Sequence, residues 1–126
     1  RDLAWYRGLG DVYKRQHVMR VLADDRDGRA ILITPGIVEL GNAHDEVHRT
    51  LGQLAAEVCD IVILVSPARI PTFIEGFNAH NKDGKMLQQF ETFAAAEKWL
   101  IENKRESDVI LLENDLPDIY ERVLKI

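Results

Sequence analysis

Three short segments hold the residue types that could do chemistry. In the first, Thr34-Pro35-Gly36 is followed by Glu39-Leu40-Gly41. A hydroxyl and backbone N–H groups bared at a turn can hold a phosphate, or the same residues can simply end a strand. Glu39 could take a cation or a ligand amine, or stand in solvent. The second segment, Ser66-Pro67-Ala68-Arg69, offers one guanidinium. Its planar fork suits a carboxylate or phosphate, with a surface salt bridge as the equal alternative. The third, Glu113-Asn114-Asp115-Leu116-Pro117-Asp118, is rich in carboxylates. These can orient a hydrogen-bond network or help hold Mg²⁺ through water. They also read as a helix start, with Asp115 as N-cap, Pro117 in the first turn and Asp118 at the positive end. His48, with Asp45, Glu46 and Arg49 around it, reads as a partly exposed helix histidine rather than a base.

Other chemistries lack their residues. Gly84-Lys85 is followed by Met86, so there is no phosphate-binding P-loop, and no G-x-G-x-x-G follows a strand. His44 and His48 are four apart without the HExxH pattern, and Cys59 has no CxxC partner for a zinc cluster. Neither Ser66 nor Ser107 belongs to a readable Ser-His-Asp set. On its own residues the chain is not expected to hydrolyse ATP. A single cysteine forbids an internal disulfide and fits a reducing cytoplasm. The formal net charge of -5 argues against a nucleic-acid partner, and the apolar runs are too short to span a bilayer.

The elements that must position these segments follow from the hydrophobic pattern. A length of 126 residues, 46% hydrophobic, suits one domain with a real core. Residues 1–16, RDLAWYRGLGDVYKRQ, show no clear strand or helix period and end in a run resembling translated sequencing-adapter read-through. They are set apart from the fold reasoning as a non-native segment. They carry four of the basic and two of the acidic residues, so the remainder is the more acidic part. The chain does not begin with Met, and the natural start is expected upstream.

From residue 17 onward short apolar runs alternate with amphipathic segments. Residues 18–22 end a helix. Ala30–Thr34 is a strand apolar enough to be covered on both faces, stopped by Pro35-Gly36. A helix over 45–59 carries Val47, Leu51, Leu54, Ala55 and Val58 on one stripe. Ile61–Val65 is the clearest strand, and Pro67 ends it. A helix over 69–80 takes Pro71 in its first turn. A weaker strand over 85–90, with Gln88 and Gln89, belongs near a sheet edge. Thr92 caps a helix over 93–104. Residues 108–112 form the last strand, and a short helix around Tyr120 closes the chain. Strands separated by such helices predict a three-layer α/β domain, Rossmann-like, with a mainly parallel sheet of about four strands. In open sheets of this kind ligands bind beyond the carboxyl ends of the strands, where all three chemical segments fall.

Taken together, Arg29-Ala-Ile-Leu-Ile-Thr-Pro-Gly-Ile-Val-Glu-Leu-Gly41, then His48, Leu51-Gly52, Ile74-Glu75-Gly76 and the ending Asp108-Val-Ile-Leu-Leu-Glu-Asn-Asp-Leu-Pro-Asp-Ile-Tyr120 resemble the C-terminal domain of Mur ligases. The resemblance covers nearly all of residues 17–126 and is nearest the branch that joins D-alanyl-D-alanine to UDP-N-acetylmuramoyl-tripeptide in peptidoglycan synthesis. The best-known members carry Gly-Asp-Met before Glu-Leu-Gly and Lys-Gly-Ser-Arg after the last strand. Thr34-Pro35-Gly36 and Glu113-Asn114-Asp115 stand there instead, which removes a basic contact and leaves the peptide substrate open.

The resemblance implies one part of a three-domain, cytoplasmic, ATP-dependent ligase. An N-terminal domain would hold the UDP-muramoyl peptide. A central domain would hold ATP and Mg²⁺. This domain would close over nucleotide and incoming dipeptide while an acyl phosphate reacts with the dipeptide amine. It implies nucleotide-side roles for Thr34, Gly36, Glu39 and Gly41, and substrate-side roles for Arg69, Asn114, Asp115 and Asp118. The isolated domain is expected to be inactive. A non-catalytic binding module of the same fold and an unrelated flavodoxin- or receiver-like domain are the alternatives; Thr34-Pro35 fits a receiver poorly.

Overall fold

The computed structural model describes residues 2–7, 20 and 28–114. The expected terminal helices, around residues 18–22 and Tyr120, fall outside the described residues except for Arg20, as do Asp115 and Asp118.

Five strands form one sheet: β1 (Asp2–Arg7), β2 (Ala30–Thr34), β3 (Ile61–Val65), β4 (Met86–Phe90) and β5 (Val109–Asn114). The helices α1 (His44–Val58), α2 (Pro71–His80) and α3 (Phe93–Asn103) connect them. The spatial order is β1-β5-β2-β3-β4, and every pairing is parallel. The α/β class and the four strands read from residue 17 onward are therefore present. The fifth strand, β1, comes from the segment set apart as lacking a strand period. It pairs along the edge with β5, from Asp2 opposite Val109 to Arg7 opposite Asn114. Such pairing is made by backbone groups, which any non-proline sequence possesses.

Burial explains the layering. β2 and β3 are buried at every position, and alternate residues feed two cores. Leu32, Val62, Leu64 and Leu111 face α1 and α2, meeting Leu51, Leu54, Phe73 and Phe77. Ile31, Ile33, Ile63 and Ile110 face α3, meeting Phe93, Ala96 and Leu100. The helices α1 and α2 approach until their backbones nearly touch. A Cβ on Gly52 would lie 2.1 Å from the Phe73 carbonyl oxygen, and one on Gly76 2.1 Å from that of Arg49. Only glycine at both positions permits this crossing.

Local signals agree with the sequence reading in several places. Pro71 opens α2, where its missing N–H costs nothing. The Thr92 hydroxyl accepts the Ala95 N–H, capping α3. β4 is a sheet edge. Two boundaries differ by two residues. Arg69 lies in a separate 3₁₀ turn, Pro67–Arg69, because Ile70 leaves helical geometry before α2 starts. β5 runs on to Asn114, since pairing with β1 continues through the polar residues Glu113 and Asn114.

The amino edge of the sheet is fastened by polar groups. Arg29 donates to both Asp108 carboxylate oxygens, at 2.9 and 2.7 Å. Asp60 accepts the Ala30 N–H at 2.8 Å. Lys85 donates its ammonium to the carbonyls of Ala56 and Cys59, closing the end of α1.

Candidate functional site at the carboxyl edge of the sheet

Because all strands run one way, their carboxyl ends share one edge. The chain steps outward from β2 to β3 to β4 through α1 and α2 on one face, then returns past β2 to β5 through α3 on the other. A crossover of constant hand that reverses direction must use the opposite face. The order thus reverses between β2 and β5, and ligands of such sheets enter at this topological switch point. Ile33 pairs with Leu112, so the Thr34 corner and the Glu113-Asn114 end of β5 lie side by side at the same edge. The two segments are brought together.

The corner after β2 is built from internal hydrogen bonds. Thr34 is buried, and its hydroxyl accepts the Gly36 N–H at 2.9 Å. Gly36 has φ +87°, and a Cβ there would meet Ile70 Cγ2 at 2.8 Å and His48 Nε2 at 2.9 Å. The Ile37 N–H donates to His48 Nε2 at 2.9 Å. An accepting Nε2 leaves the proton on Nδ1, which donates to the His44 carbonyl at 2.7 Å. His44 in turn donates Nε2–H to the Arg69 carbonyl at 2.8 Å. Arg69 Nη2 donates to the Pro35 carbonyl at 3.2 Å. The bonds close a ring through the β2 corner, the start of α1 and the β3 corner.

His48 is the center of that ring and is fully buried, which corrects the expectation of a partly exposed histidine. It shares the inner face of α1 with Leu51, Gly52 and Ala55. Its spacing from them was the available signal; counting histidine as polar hid it. Burial pushes its pKa down to about 4, the nearby His44 and Arg69 acting in the same direction against the His44 carbonyl bond and Asp45. At neutral pH it is an uncharged pin.

The remaining site residues divide by exposure. The Gly36 and Ile37 N–H groups are committed internally, to the Thr34 hydroxyl and to His48, so they shape the corner. Glu39 and Gly41 face outward, both at positive φ, 63° and 55°, and a Cβ on Gly41 would meet open space. A non-glycine residue held at positive φ costs of order 1 kcal/mol and recurs at ligand-binding turns. Asp45 and Glu46 occupy the first turn of α1, so this helix start disfavors a free anion. Arg69 adds one exposed guanidinium, fixed by a single bond and keeping further donors. Ser66, at φ 52°, ties the β3 corner to β4: its N–H donates to the Phe90 carbonyl and its hydroxyl to that of Glu91. Asn114 ends β5 at the same edge. The edge thus offers carboxylates for a cation or amine beside one fork for an anion.

Among the described residues, no cluster of three or more His, Cys, Asp or Glu is placed to hold a metal ion. No helix among them is long and apolar enough to cross a membrane. The chain matches no protein-family model, and no curated protein matches it.

Proposed function

We propose that this chain is the closing, C-terminal domain of a cytoplasmic ATP-dependent amide-bond ligase of the Mur type, joining D-alanyl-D-alanine to UDP-N-acetylmuramoyl-tripeptide. The observation that carries the reading is the switch point between β2 and β5, where the hydrogen-bonded corner after β2 and the start of the Glu113-Asn114-Asp115 segment lie side by side. The commitment of the corner's N–H groups to Thr34 and His48 supports a division of labor. This domain does not cradle a triphosphate or Mg²⁺ by itself; its residues fit a lid over a neighbor that does. ATP supplies the phosphoryl group that activates the precursor carboxylate.

In this reading Glu39 and Gly41 meet the nucleotide side, with Thr34 and Gly36 fixing the corner's shape. Arg69, Asn114, Asp115 and Asp118 face the incoming dipeptide. Arg69 suits its carboxylate and the acidic residues its amine. Closure excludes water that would otherwise consume the activated acyl group.

The test uses the complete protein, with its N-terminal and central domains. ADP release is expected only when both the muramoyl-tripeptide and D-alanyl-D-alanine are present, and none from the 126-residue chain alone. Glu39→Gln removes a charge that acts only once the domains have closed. It is expected to lower turnover roughly tenfold or more, with the thermal unfolding midpoint unchanged. A complete protein that lacks a nucleotide-binding neighbor, or forms ADP without the dipeptide, refutes the proposal.

A further inference from the structure

The chain holds two Asp-Gly pairs, Asp27-Gly28 and Asp83-Gly84. In such a pair the aspartate side-chain carboxyl carbon and the glycine nitrogen can close a five-membered ring, and glycine has no Cβ to obstruct their approach. Both pairs stand between two basic residues, Arg26 and Arg29 in one and Lys82 and Lys85 in the other. Their local chemistry is therefore matched, and their surroundings decide which of them reacts.

At Gly28 the space is taken. A Cβ there would lie 2.4 Å from the Ser107 carbonyl oxygen and 2.7 Å from its carbon, so neighboring backbone walls this glycine. Gly84 is the opposite case. Its φ is +69°, and a Cβ there would meet no atom within 4 Å. Asp83 and Gly84 are both exposed. No hydrogen bond or ion pair among the described residues engages the Asp83 carboxylate or the Gly84 N–H. The bonds of this turn fall on either side of the pair. Lys82 donates its N–H to the His80 carbonyl. The Asn81 side chain accepts the Lys85 N–H and donates to the Lys85 carbonyl, at 2.8 and 2.9 Å. The turn is thus held at its ends, with the carboxyl and amide groups at its middle unprotected.

We propose that Asp83-Gly84 is a site of spontaneous covalent modification in the folded chain, passing through a cyclic imide to isoaspartate. The Gly84 nitrogen attacks the Asp83 side-chain carboxyl carbon in its acid form. A C–N bond forms, the C–OH bond breaks, and the hydroxyl leaves as water with the amide proton. Water then adds to one of the two imide carbonyls and opens the ring. Opening at the side-chain carbonyl restores aspartate. Opening at the main-chain carbonyl leaves Gly84 joined through the former side chain, and the main chain is one carbon longer inside the loop that Asn81 closes on Lys85. The turn precedes β4 at the amino edge of the sheet, so the inference is independent of the ligand reading at the carboxyl edge.

Incubating the folded 126-residue chain in ¹⁸O-labeled water tests it, with a peptide map that locates the label and separates isoaspartyl from aspartyl peptides. Each passage through the imide leaves a solvent oxygen at residue 83. The chain unfolded in urea is the reference, and there both pairs are expected to convert at similar rates. In the folded chain Asp83 is expected to convert roughly fivefold or more faster than Asp27. Asp83→Glu, which would need a six-membered ring, is expected to remove the signal at residue 83. Label at Asp83 in urea but none in the folded chain overturns the proposal. So does equal conversion of the two pairs in the folded chain, or label that persists in Asp83→Glu.

Discussion

Acidification is expected to release the His48 pin, and the effect has a calculable size. Burial holds this imidazole at a pKa of about 4 against an ordinary 6.5. At about 1.4 kcal/mol per pH unit, the difference makes the neutral state worth about 3 kcal/mol. The sign follows from which state takes the proton. Above pH 6.5 neither folded nor unfolded chain binds one, and the full stability is present. Between 6.5 and 4 only the unfolded chain binds it, so stability falls as pH falls. About 1 kcal/mol is lost at pH 5.5 and about 3 near pH 4. Urea unfolding at pH 7.5, 6.5, 5.5 and 4.5, followed by tryptophan fluorescence, measures the slope. His48→Gln is the control, because it keeps an acceptor for the Ile37 N–H but does not titrate. It starts less stable and loses less on acidification. Histidines common to both proteins cancel in the difference. Asp108 contributes lower down: burial pushes its carboxyl up, but the Arg29 bonds and the Arg105 N–H outweigh this and leave it below its ordinary range. Its stabilization is present above the ordinary carboxylate pKa and disappears as pH falls through the lowered one, beneath the His48 window. Parallel stability curves for wild type and His48→Gln from pH 6.5 to 4, or an imidazole resonance of His48 titrating near 6.5, would refute the reasoning.

Three further substitutions probe the frame. Gly36→Ala forces a side chain onto positive φ and into His48 and Ile70; it is expected to cost about 2 kcal/mol or more in urea unfolding. Gly52→Ala drives a methyl group into the Phe73 carbonyl and is expected to cost about 3 kcal/mol, with a drop in near-ultraviolet circular dichroism as α1 and α2 part. Arg29→Met strands the buried Asp108 carboxylate, which keeps the Arg105 N–H at 2.7 Å. A loss of about 3 kcal/mol at pH 7, shrinking as Asp108 is protonated, is the expected result in a pH series.

What the sequence made legible were elements whose physics is local. Ala30–Thr34 and Ile61–Val65 are apolar at nearly every position because both faces are covered, and proline stops each. Gln88 and Gln89 mark an edge because an inner strand has no place for two amides. Thr92 and Pro71 sit where capping and a missing N–H favor them. Hidden were the features that depend on groups far apart in the chain. The reversal of strand order between β2 and β5 is a property of the whole sheet. His48 reads as polar until the N–H of Ile37 and the carbonyl of His44 appear beside it. Gly52 and Gly76 reveal their purpose only across the helix crossing. For the same reason the Thr34 hydroxyl, read as a phosphate ligand or as the end of a strand, did not reveal that it accepts the Gly36 N–H.

The closed ring of bonds through Pro35, Ile37, His48, His44 and Arg69 bears on the thermodynamics of recognition. Two corners that cannot move separately arrive at an encounter already in their final shape, so little freedom is surrendered when a guest is seated. Calorimetry of such an encounter would register a small entropic penalty for ordering these corners, and any large swing must be carried by the body as a whole.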